Sequence, residues 1–238
     1  MLISSESLRA EECRIQQAYA RRSNSHLYSR FNPAHLLMVH ERERRLLGLL
    51  SRHGCEPLDT KKILEVGCGN GDFLRDFIKW GARPENISGI DLLPERVSEA
   101  VHLSPKAMDI RQGNAAILEF AEESFDLVLQ STVFTSVLDL NVKRQIASEM
   151  CRVLKSDGLI IWYDYHVDNP KNADVKGLTY REIHALFPNA EIHLERITLA
   201  PPLARLLAPY FWVLCSLLSK IPWLCTHYVG LIRKNRKD

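Results

Sequence analysis

The residues best suited to chemistry stand in one short run, Glu65-Val66-Gly67-Cys68-Gly69-Asn70-Gly71, with Asp91 twenty positions beyond Gly71. An apolar strand, Ile63 to Val66, leads straight into the alternating glycines. Without a Cβ, such positions adopt left-handed dihedrals and let a ligand come close to the backbone. A helix opening at Asp72 turns its free N–H groups toward the same point. Asp91 ends the next strand, Ile87 to Asp91, where a carboxylate can accept both hydroxyls of a ribose. The chemistry this predicts is the holding of a nucleotide-like ligand at the carboxyl end of a first β-strand. A dinucleotide fingerprint would set its third glycine at position 72, which is Asp, and no Tyr-x-x-x-Lys pair is present. Both facts argue against a nicotinamide oxidoreductase.

With its acid two residues ahead of the first glycine, the run resembles motif I of the class I S-adenosylmethionine (SAM) methyltransferases. The resemblance implies a cofactor loop of Glu65, Gly67, Cys68, Gly69, Asn70 and Gly71, with Glu65 orienting the loop and helping to hold the methionine amino group. Cys68 is then a small packing residue, not a nucleophile. Asp91 and Leu92 would meet the ribose. Met108 to Ala115 resembles the family segment after strand three, so Asn114 and Ala115 would read the adenine, with Asn where Asp is more frequent. Ser124 to Thr132 resembles the strand-four signature and adds Gln130. The resemblance spans about residues 60–166. It implies a Rossmann-like α/β fold: a seven-stranded, mostly parallel sheet with an antiparallel last strand, SAM as cofactor and S-adenosylhomocysteine as product.

The elements needed to position these residues can be read along the chain. Val142, Ile146, Met150 and Val153 fall on one helical face. Lys155 to Gly158 reads as a stop and turn, and Gly158 to Asp164 as a buried parallel strand. Thr179 to Phe187 reads as a helix with Glu182 at capping-box spacing. Glu191 to Leu199 alternates as strand six, and His227 to Arg233 reads as strand seven. Between them lies an apolar helical insertion, 200–226. Ahead of the glycine loop, Ala10 to Arg22 and Pro33 to Arg52 read as helices of an N-terminal lid, 1–60, over a SAM-binding domain, 61–238. In such a lid an aromatic often meets the methionine end. Tyr28 is the first candidate and Tyr19 the second, unless both pack between helices. The run Glu41 to Arg45 reads as a solvated helix face.

A net charge of +2 over 238 residues sets no strong field, so nothing asks for nucleic acid. Six cysteines without a C-x-x-C spacing read as free thiols of a reducing cytosol, and the first residues lack a signal-peptide pattern. No His and carboxylate spacing suggests a metal site. For an acceptor hydroxyl, His166 at the end of strand five is the first candidate base, with Asp164 as partner or alternative; His26, His35 and His40 are weaker candidates. The expected acceptor is a small molecule, a sugar or a lipid-linked group, methylated at a hydroxyl oxygen. Methylation of a quinone or isoprenoid at carbon or oxygen, and a silent SAM-binding subunit, stay open. In the insertion, the uncharged stretch Leu206 to Ser219 is fourteen residues long and holds Pro209, short of the roughly 20 apolar residues a membrane span needs. It reads instead as a wall for a greasy acceptor or a shallow membrane contact, helped by the basic tail Arg233 to Lys237. A buried helix or a dimer interface are the alternatives. The expected location is cytoplasmic, with room for a peripheral place at the inner membrane face.

Overall fold

The computed structural model describes residues 4–21 and 25–235, apart from the side chains of 25 and 26. Two helices come first, α1 (Ser5–Ala20) and α2 (Pro33–Arg52). Alternation then sets in with β1 (Ile63–Val66), α3 (Asp72–Lys79), β2 (Ile87–Asp91), α4 (Pro94–Leu103), β3 (Asp109–Gln112), β4 (Phe125–Ser131), α5 (Leu140–Val153) and β5 (Leu154–Tyr165). The last part holds α6 (Tyr180–Leu186), β6 (Ala190–Leu199), α7 (Pro201–Leu207), α8 (Trp212–Leu218) and β7 (Cys225–Lys234).

The strands form one seven-stranded sheet in the order β3-β2-β1-β4-β5-β7-β6. β7 runs antiparallel to both β5 and β6, while the pairs on the other side of β5 are parallel. Strand order reverses at the β1/β4 pair, so a crevice opens at the carboxyl ends of these two strands, where open α/β sheets bind ligands. All four residues of β1 are buried. Successive side chains point to opposite faces: Leu64 and Val66 join the core under α1, α5 and α6, whereas Ile63 joins the core under α2 and α3. Glu65 therefore faces the α2 side.

Local signals account for the element ends. Asn32 caps α2 by accepting from the N–H groups of Ala34 and His35, with Pro33 in the first turn. Thr179 and Glu182 form the expected capping box. α1 starts at Ser5, earlier than Ala10, because Ser4 caps it through the Ser7 N–H. The turn expected at Lys155 to Gly158 lies within β5. Pairing jumps from Phe125↔Leu154 to Leu127↔Leu159, so the stop signal produces an irregularity in the strand instead of a separate loop.

The insertion forms two seven-residue helices, α7 and α8. They share a small core with α2, made by Ala34, Leu37, Leu199, Ala204, Ala208 and Cys215. β6 is parallel to β5, so the insertion stands on the sheet's carboxyl edge. β7 then carries the chain to the opposite edge, where Arg233 pairs with Leu159 at the start of β5's regular pairing. The basic tail expected to work beside the insertion is thus a strand's length away from it, and its Arg236 and Lys237 lie outside the described residues. Among the described residues no helix is long and apolar enough to cross a membrane.

Candidate active site

Two clefts open at the carboxyl edge, and both are lined by Gly67 and Ser131. Gly67, Gly69 and Gly71 have φ of 71°, 54° and 77°, the left-handed region that favours glycine. At Gly67 an added Cβ would also collide with Cγ2 of Val133. Asp91 braces the loop: Oδ2 accepts from the Gly69 N–H at 2.8 Å, and Oδ1 accepts from the Leu93 N–H at 2.9 Å. Each oxygen keeps a second lone pair free for a ligand hydroxyl.

The first cleft, about 780 Å³, is lined by Asp91, Leu92, Asn114 and Ala115, with apolar walls from Val133, Val137 and Ile146. α1 roofs it through Leu8, Glu11, Glu12, Ile15 and Tyr19, one face of the helix at spacings of three and four. Ion and hydrogen bonds fasten this roof. Glu11 accepts from the Leu138 N–H at 2.5 Å, and Ser7 donates to Asp139 Oδ2 at 3.0 Å. Burial pushes the Glu11 carboxyl up, but the hydrogen bonds of Arg14 and of the Leu138 backbone outweigh that, and its pKa lies below the ordinary value. Asn114 departs from its expected part. Its Oδ1 accepts from the Ala116 N–H at 2.7 Å, and its Nδ2 donates to Glu12 of the roof. The side chain ties the β3–β4 loop to α1 as well as lining the cleft.

The second cleft, about 520 Å³, is lined by Glu65, Cys68, Gly69 and Asn70 from the loop, and by Arg30, His35 and Arg42 from the N-terminal segment. Glu65 is 3% exposed and its Oε2 has no partner. Desolvation raises its pKa well above 4.5, with the Arg42 charge pulling the other way. The Arg42 guanidinium lies 3.9 Å from the Phe73 ring centroid and 3.8 Å from Asp76, while its Nε is unpartnered. Burial lowers the Arg42 pKa, and the charges of Tyr163, Asp76 and Glu65 oppose that. The Glu41 to Arg45 stretch is accordingly not a solvated face: Glu41 is 7% exposed and accepts from the Thr198 N–H, and Glu43 accepts from Trp80 Nε1 at 2.9 Å. Arg42 was legible in principle, because it continues the inward row Val39, Arg42, Leu46, Leu49 at spacings of three and four.

Other expected residues fall elsewhere. Gln130 is fully buried, its Oε1 accepting from the Val133 N–H at 3.2 Å. Cys68 is buried and its thiol pKa is raised by desolvation, which suits packing and not nucleophilic attack. Tyr28 lines neither cleft; it is 69% exposed and meets His35 edge-on. Tyr19, the second candidate, walls the first cleft, under the Arg96 guanidinium at 4.4 Å. His166 also lines neither cleft, and its Nε2 sits 3.0 Å from the Cys225 carbonyl. Asp164 is completely buried, accepting from Thr135 N–H and Oγ1–H and from the Tyr165 N–H; desolvation raises its pKa to about 6. No insertion residue lines either cleft.

Together the clefts suit a ligand with a flat apolar base and ribose at one end and a zwitterionic amino acid at the other. Residues 64–162 match the family described as "Methyltransferase domain". The chain is 33% identical over 122 residues to a ubiquinone biosynthesis O-methyltransferase of Azorhizobium caulinodans, covering 50% of this chain and 47% of the relative. It is 31% identical over 140 residues to phthiotriol/phenolphthiotriol dimycocerosates methyltransferase 1 of Mycobacterium ulcerans, covering 57% of this chain and 50% of the relative. The chain spans about half the length of these curated relatives. A solved TehB-like SAM-dependent methyltransferase from Corynebacterium glutamicum shares the fold, with TM-score 0.56, 16% identity, and 97% and 99% of the two chains covered. Residues 64–162 thus carry a methyltransferase domain, and SAM is the cofactor that this domain and fold imply. The residues fit it: the orphaned carboxylate oxygen of Glu65 suits an ammonium group, and Arg42 with Arg30 suits a carboxylate.

Proposed function

We propose that the protein transfers a methyl group from SAM to a hydroxyl oxygen of a small or lipid-linked acceptor. The observation that carries this is the pair of clefts joined at Gly67, one built for adenosine and one with Glu65 and Arg42 for the amino-acid end. The bound cofactor supplies a methyl group activated by its sulfonium. The protein's own residues do the rest: α1 and α2 exclude water from the two clefts, and Glu65, Arg42 and Asp91 fix orientation.

A hydroxyl acceptor needs a place for its proton. In this reading His35 takes it, in preference to His166 or Asp164, because His35 is the histidine at the second cleft. Burial, then the charges of Arg30 and Arg42, lower the His35 pKa, which keeps the imidazole neutral and able to accept. The relatives' names favour quinone-like or lipid acceptors, and a cytoplasmic protein working at the inner membrane face would meet them. The test uses labelled SAM with extract separated into aqueous and lipid fractions. Label should enter a lipid-fraction hydroxyl. His35→Ala should lower turnover about 10²–10⁴-fold with SAM affinity kept, and His166→Ala should leave turnover near wild type. SAM binding with no labelled product in any fraction would favour a silent cofactor-binding subunit instead.

A further inference from the structure

We infer that the insertion is a docking surface for an anionic lipid bilayer. α7 and α8 use one small face to reach the core and leave the rest uncovered. Cys215 is completely buried, whereas Val213 is 72%, Leu217 56%, Phe211 57%, Tyr210 80%, Leu206 69% and Trp223 87% exposed. Contiguous exposed apolar surface of this kind marks an interaction site. Phe31, 99% exposed, stands three residues ahead of Ala34, which packs in the insertion's own core.

Charge selects the occupant. The chain holds 29 acidic residues, yet none lies between Arg196 and Lys237, nor between Cys13 and His40. These are the stretches that supply the insertion and the segment beside it. Arg205 and Lys220 flank α8, are exposed, and form no ion pair among the described residues. An apolar face with tyrosine and tryptophan, carrying cations and no carboxylate of its own, matches the headgroup layer of an anionic leaflet. The neighbouring Glu41, which meets Ser219 at the end of α8, is buried beneath it. Helices of seven residues can enter that layer but not cross it. Geometry adds a reason. The insertion stands on the sheet edge that also holds the glycine loop, so docking would bring the second cleft, with Arg30 at its margin, to the lipid surface. This deepens the proposed function by naming where a lipid-borne acceptor is met, and rests on that reading only for its purpose.

The test is flotation of the whole protein with vesicles of phosphatidylcholine plus phosphatidylglycerol and with vesicles of phosphatidylcholine alone, without SAM or acceptor. The wild type should float with the anionic vesicles, less so at high salt, and far less with the neutral ones. Val213→Ser/Leu217→Ser/Trp223→Ser changes only exposed side chains and should cut partitioning at least tenfold. Arg205→Gln/Lys220→Gln should cut it about fivefold per charge, on anionic vesicles only. SAM binding by calorimetry should be unchanged in both variants, which shows they are folded. Wild type that stays unbound to both vesicles, or a triple variant that floats like wild type, overturns the inference. So does a triple variant that turns a wild-type dimer into a monomer, since a second copy then covers the face. Flotation without detectable SAM binding would remove the proposed function and leave the docking surface standing.

Discussion

The two clefts share Gly67 and Ser131 and little else. The first is walled by aliphatic side chains from the β4–α5 region and roofed by one face of α1. The second is shaped by buried charge, with Glu65 and Arg42 held in low dielectric by α2. One offers shape and a few hydrogen-bonding groups, the other buried charge of both signs, and the N-terminal segment supplies a wall to each. The segment is therefore part of both clefts: without it the first loses its roof and the second loses Arg30, His35 and Arg42.

The largest effect should come at the shared point. Gly67→Ala combines a left-handed residue with a Cβ, about 1–2 kcal/mol, and a collision with Val133, about 1–3 kcal/mol. Thermal unfolding and calorimetry should both register the loss, and SAM affinity should fall about a hundredfold or more. Adding Val133→Ala should recover the collision part and not the backbone part. If Gly67→Ala binds SAM like wild type, the loop is not the hinge between the clefts.

Asp91→Ala and Arg42→Met each act on one cleft. Both remove hydrogen bonds to charged groups, worth roughly 1.5–3 kcal/mol. Arg42→Met should weaken SAM and S-adenosylhomocysteine but not methylthioadenosine, which lacks the amino acid. Asp91→Ala should weaken all three. Equal losses on methylthioadenosine for both variants would merge the two clefts into one.

Acidity gives a third test. In the fold the Glu65 carboxyl has its pKa raised by burial above the 4.5 of an exposed one. Its protonated form is therefore the one the fold favours. That stabilisation is complete below pH 4.5 and is lost as pH rises through the raised value. A ligand ammonium needs the carboxylate, so SAM affinity should rise over the same window in which the free protein loses stability. Glu65→Gln should flatten both curves. A pH slope that survives in Glu65→Gln assigns it to another group.

The first cleft was far more legible in the sequence than the second. Apart from the α1 roof, its residues lie on the βα units, where Gly67, Asp91 at a strand end and the segment after β3 each carry a local signal; the same glycine run also marks the loop side of the second cleft. The strands read from periodicity agree closely with those found, and β7 is antiparallel as the resemblance implied. The second cleft depends on a contact between β1 and a helix more than twenty residues earlier, and no local pattern reports that Arg42 faces Glu65. The run Glu41 to Arg45 looks solvated by composition, and only its phase against Val39, Leu46 and Leu49 shows that Arg42 points inward. Similarly, the basic tail follows the insertion in sequence, but β7 separates them in space. Adjacency along the chain misleads wherever a full strand intervenes.

The smallest expected effect concerns the two tyrosines. Tyr19 forms part of the first cleft's wall, its hydroxyl 3.3 Å from Ser136 Oγ and its ring under Arg96. Tyr28, though favoured by the sequence, stands largely in solvent beside His35. Tyr19→Leu removes a cation–π contact at a partly exposed place, about 0.5–1 kcal/mol, together with a hydroxyl contact of similar size. SAM affinity should fall several-fold. Tyr19→Phe keeps the ring over which Arg96 lies, so it should recover part of that loss. Tyr28→Ala is an exposed substitution, with an expected change within about 0.5 kcal/mol. Calorimetry on the three variants decides between them. If Tyr28→Ala costs more than Tyr19→Leu, and costs nothing with methylthioadenosine, then an aromatic side chain closes over the amino-acid end after all. The second cleft would then recognise its ligand by ring contact as well as by charge, and the division of chemistry between the clefts would be less complete than their linings suggest.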